Sequence, residues 1–257
     1  MLDLLPLWAI YGLTVLFALA SVELGHWVGK AAQRRAPEEK ESLVGALAGA
    51  TLGLLAFLLA FTTGVAVNRF DNRRQLVVSE VNAIGTTSLR AGYLDEPHRQ
   101  EVRGLLRTYV DVRLAAVGLQ DLSQELAQAE EIHAALWAHA ERLARAQPES
   151  EMVGLFIVSL NEMIDLHTVR YVAVTATRIP PTLWYGLFAV TFLAMLLVGI
   201  QTGYGLRRNN LALLVLALVF SAVILLIVDL DSAQKGALNV SQQPMIDLQR
   251  QLQRSTP

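Results

Sequence analysis

Four uncharged stretches constrain this chain more than any other feature. Leu4 to Val22, Ser42 to Asn68, Ile179 to Leu206 and Asn209 to Val228 contain no Asp, Glu, Lys or Arg. A helix needs about 20 mostly apolar residues to cross roughly 30 Å of hydrocarbon, and each stretch meets or approaches that length. Composition agrees, with 53% hydrophobic and 17% charged residues against roughly 25% charged in an average soluble domain. Trp8, Trp27, Trp184 and Tyr204 fall near the span ends, where amphipathic rings settle among headgroups. Ala18-Leu19-Ala20 would fit a leader cleavage site, but Met1 to Leu5 carries an Asp and no basic residue. The first stretch therefore reads as a retained span. The expectation is an all-α integral membrane protein with four transmembrane helices, 4–28, 43–68, 180–206 and 209–229.

Residues 69–178 form a polar insert between the second and third spans, read as a helical extramembrane domain. Val77, Val81 and Ile84 follow one helical stripe; Leu105, Tyr109, Val112 and Ala116 mark another, and Ala129, Ile132, Leu136 and Leu143 a third. Breaks are expected at Ala91–Pro97, Gly118–Ser123 and Ala146–Ser150, each with Gly, Pro or acidic turn residues. The last insert helix should start after Pro148 and run to Pro180–Pro181. No Pro or Gly-rich turn separates the second span from the insert, so Val65 to Leu89 reads as continuous helix. The tail, 230–257, is polar and reads as irregular chain followed by a short helix near Met245–Leu252.

Several functions are excluded early. Lys+Arg is 21 against 23 Asp+Glu, a formal charge of -2, so the basic footprint of a nucleic-acid binder is missing. There is no Cys, hence no disulfide, thiolate–zinc site or cysteine nucleophile. No phosphate-binding loop, dinucleotide fingerprint, HExxH or nucleophile elbow occurs. An enzyme is not expected, nor a cofactor, nor a metal site.

Within the second span, Gly45, Gly49 and Gly53 recur every fourth residue, and Phe57 and Phe61 continue the register. Small residues at this spacing let transmembrane helices approach closely. The rings can face lipid in ordinary packing or form a hydrophobic constriction; spacing leaves both open. Arg69, Arg73 and Arg74 follow at the span's exit, placed either to draw anions to a pore mouth or to anchor the helix at lipid phosphates. Glu23 and His26 share a face at the end of the first span, where interfacial placement competes with an ion path. Glu162, Asp165, His167 and Arg170 form the densest polar cluster of the insert. Two carboxylates and one His could bind a metal, but Glu162 and Asp165 share a helix face that His167 does not, and such clusters generally serve interhelical hydrogen bonds and ion pairs; His133 and His139 give a weaker signal still.

Phe57-Leu-Leu-Ala-Phe61, with Arg69-Phe70-Asp71-Asn72 beyond it, resembles the second transmembrane helix of the bestrophin anion channels. Leu106-Arg107-Thr108-Tyr109-Val110 loosely resembles that family's Arg-Tyr helix motif. The whole chain is also similar to a large bacterial group described as bestrophin-like. That likeness is carried by Glu80-Val-Asn-Ala-Ile-Gly85, Leu89-Arg90, Asn161-Glu-Met-Ile-Asp165-Leu-His167 and Arg170. Two departures stand out. Asp71 replaces the second aromatic of the motif, and only Asp229 and Asp231 stand where calcium-responsive members carry a dense acidic cluster. Calcium prefers six to eight oxygens, so calcium gating is not carried over.

The resemblance implies a homo-oligomeric ion channel in the bacterial inner membrane, a pentamer around a central pore with a neck of Phe57 and Phe61, conducting chloride or other anions. One subunit's four helices hardly enclose an aqueous path, so a pore must lie between subunits. The competing reading is a non-conducting scaffold or sensor whose insert binds a partner. An even number of spans puts termini and insert on one side. Lys30, Arg34, Arg35, Lys40, Arg207 and Arg208 in the short loops favour an external insert, whereas the resemblance implies a cytoplasmic one.

Overall fold

A computed structural model describes residues 5–35, 41–117, 122–204, 208–232 and 236–254. Lys40, Arg207, residue 4 at the expected start of the first span and most of the break at Gly118–Ser123 lie outside them. The described residues form helices and no strands: α1 (Leu7–Arg35), α2 (Glu41–Ala91), α3 (His98–Ala115), α4 (Ser123–Ala146), α5 (Glu151–Thr175), α6 (Pro181–Tyr204), α7 (Asn210–Asp231) and α8 (Gln243–Arg254). Local chemistry sets the boundaries. Ser150 caps α5, its hydroxyl accepting from Val153 N at 3.4 Å, and Asn209 caps α7 by accepting from Ala212 N at 3.1 Å. Pro181 opens α6, where a missing N–H leaves nothing unpaired.

The helices divide into two compact units, Met1–Arg69 with Arg178–Leu238, and Phe70–Thr177 with Asn239–Pro257. In the first, α1 and α6 pack so closely that their glycines are obligatory. A Cβ on Gly25 would lie 2.1 Å from the Leu196 carbonyl oxygen, one on Gly29 2.3 Å from that of Ile200, and one on Gly199 2.1 Å from that of Val22. Two four-residue glycine pairs, Gly25/Gly29 and Gly199/Gly203, thus interlock backbone to backbone. The second unit buries Ile84, Leu106, Leu136, Phe156, Met163 and Met245 in one apolar core. Met245 comes from α8, so the tail helix is part of this core.

The helix α2 contributes to both units, and a buried seam runs along it in steps of three, four or seven residues. It comprises Ala48, Leu55, Leu59, Thr62 and Ala66 in the first unit, then Arg73, Val77, Glu80, Ile84, Thr87 and Ala91 in the second, where Ala83 and Ser88 beside it are buried as well. This narrow seam is of the coiled-coil kind. In the second unit Glu80 and Arg113 sit on core faces, and apolar periodicity alone passes over both. Glu80 occupies the α2 seam, with Val81 only half-buried. On α3 the buried face is Val102, Leu106, Tyr109, Val110 and Arg113, turned slightly from the expected Leu105/Val112 stripe because Arg113 is paired inside.

Among the described residues, five helices are long and apolar enough to cross a membrane: α1, α2, α5, α6 and α7. The fifth candidate beyond the four expected spans is α5, the least apolar of the set.

Candidate functional site: the free face of α2 and a buried ion network

Opposite its seam, α2 presents an uncovered face. Gly53, Phe57, Phe61, Gly64 and Asn68 follow one another on it, then Asn72, Gln75, Ser79 and Asn82 at spacings of three and four. Phe57 is 67% exposed and Phe61 56%. A Cβ on Gly49 or Gly53 would meet nothing within 4 Å, whereas one on Gly45 would meet Gln201 Nε2 at 2.9 Å. Of the three glycines singled out from the sequence, one packs inside the chain and two lie open beside the rings.

The three arginines at the span exit separate. Arg69 stands 3.8 Å from Asp231, Arg73 is buried and Arg74 is exposed. The acidic pair at the end of α7 is held by backbone. Asp231 accepts from Ile179 N at 3.1 Å, and Asp229 from Ala237 N at 2.6 Å. At the other end of this unit Glu23 accepts from Arg208 at 2.6 Å and from the Trp27 indole at 3.0 Å. His26 meets the Thr202 hydroxyl at 3.0 Å.

The second unit is organised around Glu80, which is fully buried. Tyr109 donates to its Oε1 at 2.6 Å, Arg113 Nε to the same oxygen at 2.9 Å, and Arg170 to Oε2. Arg113 also bonds Glu125, and Arg170 reaches Gln242 at 2.8 Å. Two carboxylates and two guanidiniums from α2, α3, α4 and α5 therefore balance. Burial would raise the Glu80 pKa, but Arg113 and Arg170 outweigh it and bring it down to about 2. Burial, reinforced by the Glu80 charge, drives the Tyr109 phenol well above its usual range. With the phenol proton directed at Glu80, His167 Nδ1 donates to the phenol oxygen at 3.1 Å. That leaves its Nε2 buried without a hydrogen-bond partner, as is Nε2 of the adjacent His133. The two rings meet edge to face at 4.9 Å. Burial, helped by Arg113, pushes His133 down to about 4, so it is neutral at pH 7.

The polar cluster read from the sequence is thereby divided. His167 and Arg170 join the Glu80 network, while Glu162 and Asp165 are exposed, Asp165 accepting only a local bond from Asn161 at 3.0 Å. Sequence reasoning missed Arg113 and Glu125 and the central place of Glu80. A carboxylate at a core position of an apolar stripe was the available signal. It also passed over His98, which with Glu101 and His139 places three potential ligand atoms within 4.8 Å of one another.

A family model of the Bestrophin-like domain matches residues 15–245. A crystal structure of a bacterial bestrophin homolog from Klebsiella pneumoniae is similar at a TM-score of 0.65 and 15% identity, covering 96% of this chain and 98% of that one. A second structure of such a homolog from the same organism gives 0.64 and 14%, over 95% and 96%. A third, described as a membrane protein, gives 0.68 and 14%, over 96% and 97%. At these identities the likeness is one of fold. No curated protein matches the chain significantly.

Proposed function

The chain belongs to the bestrophin-like family, and from that premise we propose that it is one subunit of an oligomeric ion channel whose conduction path follows the free face of α2. The spans are α1, the first part of α2, α6 and α7. The helix α5 stays outside the bilayer, because it carries Glu162, Asp165 and Arg170 and ionised groups are costly in hydrocarbon. Copies assemble in the inner membrane, five by family resemblance, with Phe57 and Phe61 as the neck and Arg74 near its exit.

The observation that carries this reading is the uncovered face itself. A helix buried along one narrow seam needs other surfaces around it, and lipid suits Leu43, Leu47 and Leu54. It does not suit Asn68, which closes the Phe57/Phe61 face at the end of the span; Asn72, Gln75 and Asn82 continue that face beyond the bilayer and fit the watered mouth of a path. Phenyl edges carry partial positive charge and tolerate a partly dehydrated anion, which favours chloride and other anions.

The test is ion flux from liposomes holding purified protein, chloride and potassium in parallel. Truncating both Phe57 and Phe61 to Ala widens the neck and raises chloride flux above wild type, since hydrophobic gates close by dewetting. Phe192→Ala is the control, because that ring packs 6.3 Å from Phe17 inside the chain, and it leaves flux unchanged. Intact assembly with flux at the empty-liposome level favours the scaffold or sensor. Equal rises in potassium and chloride flux remove the anion preference and keep the pore.

A further inference from the structure

We propose that His98, Glu101 and His139 form a binding site for a borderline divalent transition-metal ion, zinc above all, which ties the start of α3 to α4. This site lies apart from the Glu80 network and is independent of whether the protein conducts. His98 and Glu101 stand one helical turn apart on α3, and His139 projects from α4. The Nδ1 atoms of His98 and His139 are 2.9 Å apart, and Glu101 Oε2 is 3.6 Å from the His139 nitrogen. Two nitrogens bound to zinc at about 2.0–2.1 Å in a tetrahedral array stand roughly 3.3 Å apart. A shift of a few tenths of an ångström therefore turns this contact into a ligand pair.

The donor set selects the metal. Two imidazoles and one carboxylate suit zinc and its neighbours in the transition series, and they suit calcium or magnesium poorly, because those ions prefer all-oxygen shells. Three protein ligands leave a fourth position for water. In the metal-free protein one Nδ1–H donates to the other Nδ1; to bind zinc through both nitrogens the donor ring takes its Nε2–H tautomer, its proton passing from Nδ1 to Nε2. One cation competes: Arg142 Nη2 lies 3.2 Å from His139 Nδ1. Arg142 is exposed, so its guanidinium can give up the 3.1 Å bond from Nε to the Ala138 carbonyl and swing clear into solvent. His139 is buried while Glu101 is exposed, which gives an ion a route in from the Glu101 side.

The experiment is titration of the purified full-length protein with cobalt(II), followed by its visible d–d absorption, and then displacement by zinc against a chelating dye. One saturable site per chain is expected. Removing an outer-shell partner of a metal typically weakens binding about 10–100-fold, so His98→Ala and His139→Ala should each weaken zinc by about tenfold or more. Glu101→Gln should weaken it as well. Arg142→Gln keeps all three ligands and removes the competing charge, so it should bind zinc more tightly than wild type. Calcium at the same concentration should not displace cobalt. Wild-type affinity in both histidine variants, weaker binding in Arg142→Gln, displacement by calcium, or no saturable site each overturns the proposal.

Discussion

Glu80 shows how much one side chain can fix. Its carboxylate joins Tyr109, Arg113 and Arg170, and removing it leaves Glu125 as the one carboxylate facing the buried Arg113 and takes the charge partner from the half-buried Arg170. Breaking a buried ion pair from one side costs about 3–5 kcal/mol, so Glu80→Gln should lower the thermal midpoint of the protein strongly, whereas Glu162→Gln on the exposed face of α5 should not. The same centre sets the response to acid. His133 is depressed from the usual 6.5 to about 4 and Glu80 from 4.5 to about 2, so in both windows the unfolded chain holds more protons. Stability is complete above about pH 6.5, falls as pH drops through the His133 window, and falls further through that of Glu80. Each group contributes at most about 1.4 kcal/mol per pH unit. Thermal scans from pH 7.5 to 4.5 check the His133 window, and a midpoint that rises on acidification contradicts it. Glycines are as position-specific: Gly25→Ala forces a Cβ onto the Leu196 carbonyl and should cost about 1–3 kcal/mol or more, while Gly49→Ala, with nothing within 4 Å, should leave the thermal midpoint of the single chain near wild type.

At the scale of elements, α2 performs two tasks on two faces. Its seam locks it into each unit, and its free face carries Phe57, Phe61 and the amide series. Gly49→Leu therefore tests assembly rather than folding. Oligomer yield in detergent should fall below that of Leu47→Ala, and equal yields would mean that the glycine face meets lipid. Helix positions were legible in the sequence because charge-free runs and turn residues are local signals. The unbroken passage of α2 from span to insert was legible too, from the lack of Pro between Val65 and Leu89. The pairing of helices was not. Gly25/Gly29 and Gly199/Gly203 have the same spacing as Gly45/Gly49/Gly53, and periodicity cannot say which set meets another backbone. The buried network escaped for a related reason. Glu80, Arg113 and Glu125 look solvent-facing one by one, and only their convergence from three helices makes burial favourable. His167 and Arg170 were found as a local cluster, but their partners Tyr109 and Glu80 lie far away in sequence.

For the whole molecule, α5 decides the topology. If it stays outside the bilayer, Glu149 and Thr177 at its two ends face the same compartment, and the native absence of Cys makes single-cysteine labelling clean. Glu149→Cys and Thr177→Cys should react with an impermeant maleimide from the same side; labelling from opposite sides would make α5 a fifth span and set the termini apart. Conduction rests on a further claim, that the free face of α2 is shared among copies around one axis. Single-particle imaging of the protein in a lipid nanodisc measures that directly. The expected result is a ring of subunits with α2 innermost and Phe57 and Phe61 facing the symmetry axis. A monomer, or a ring in which those two rings face lipid, would contradict it.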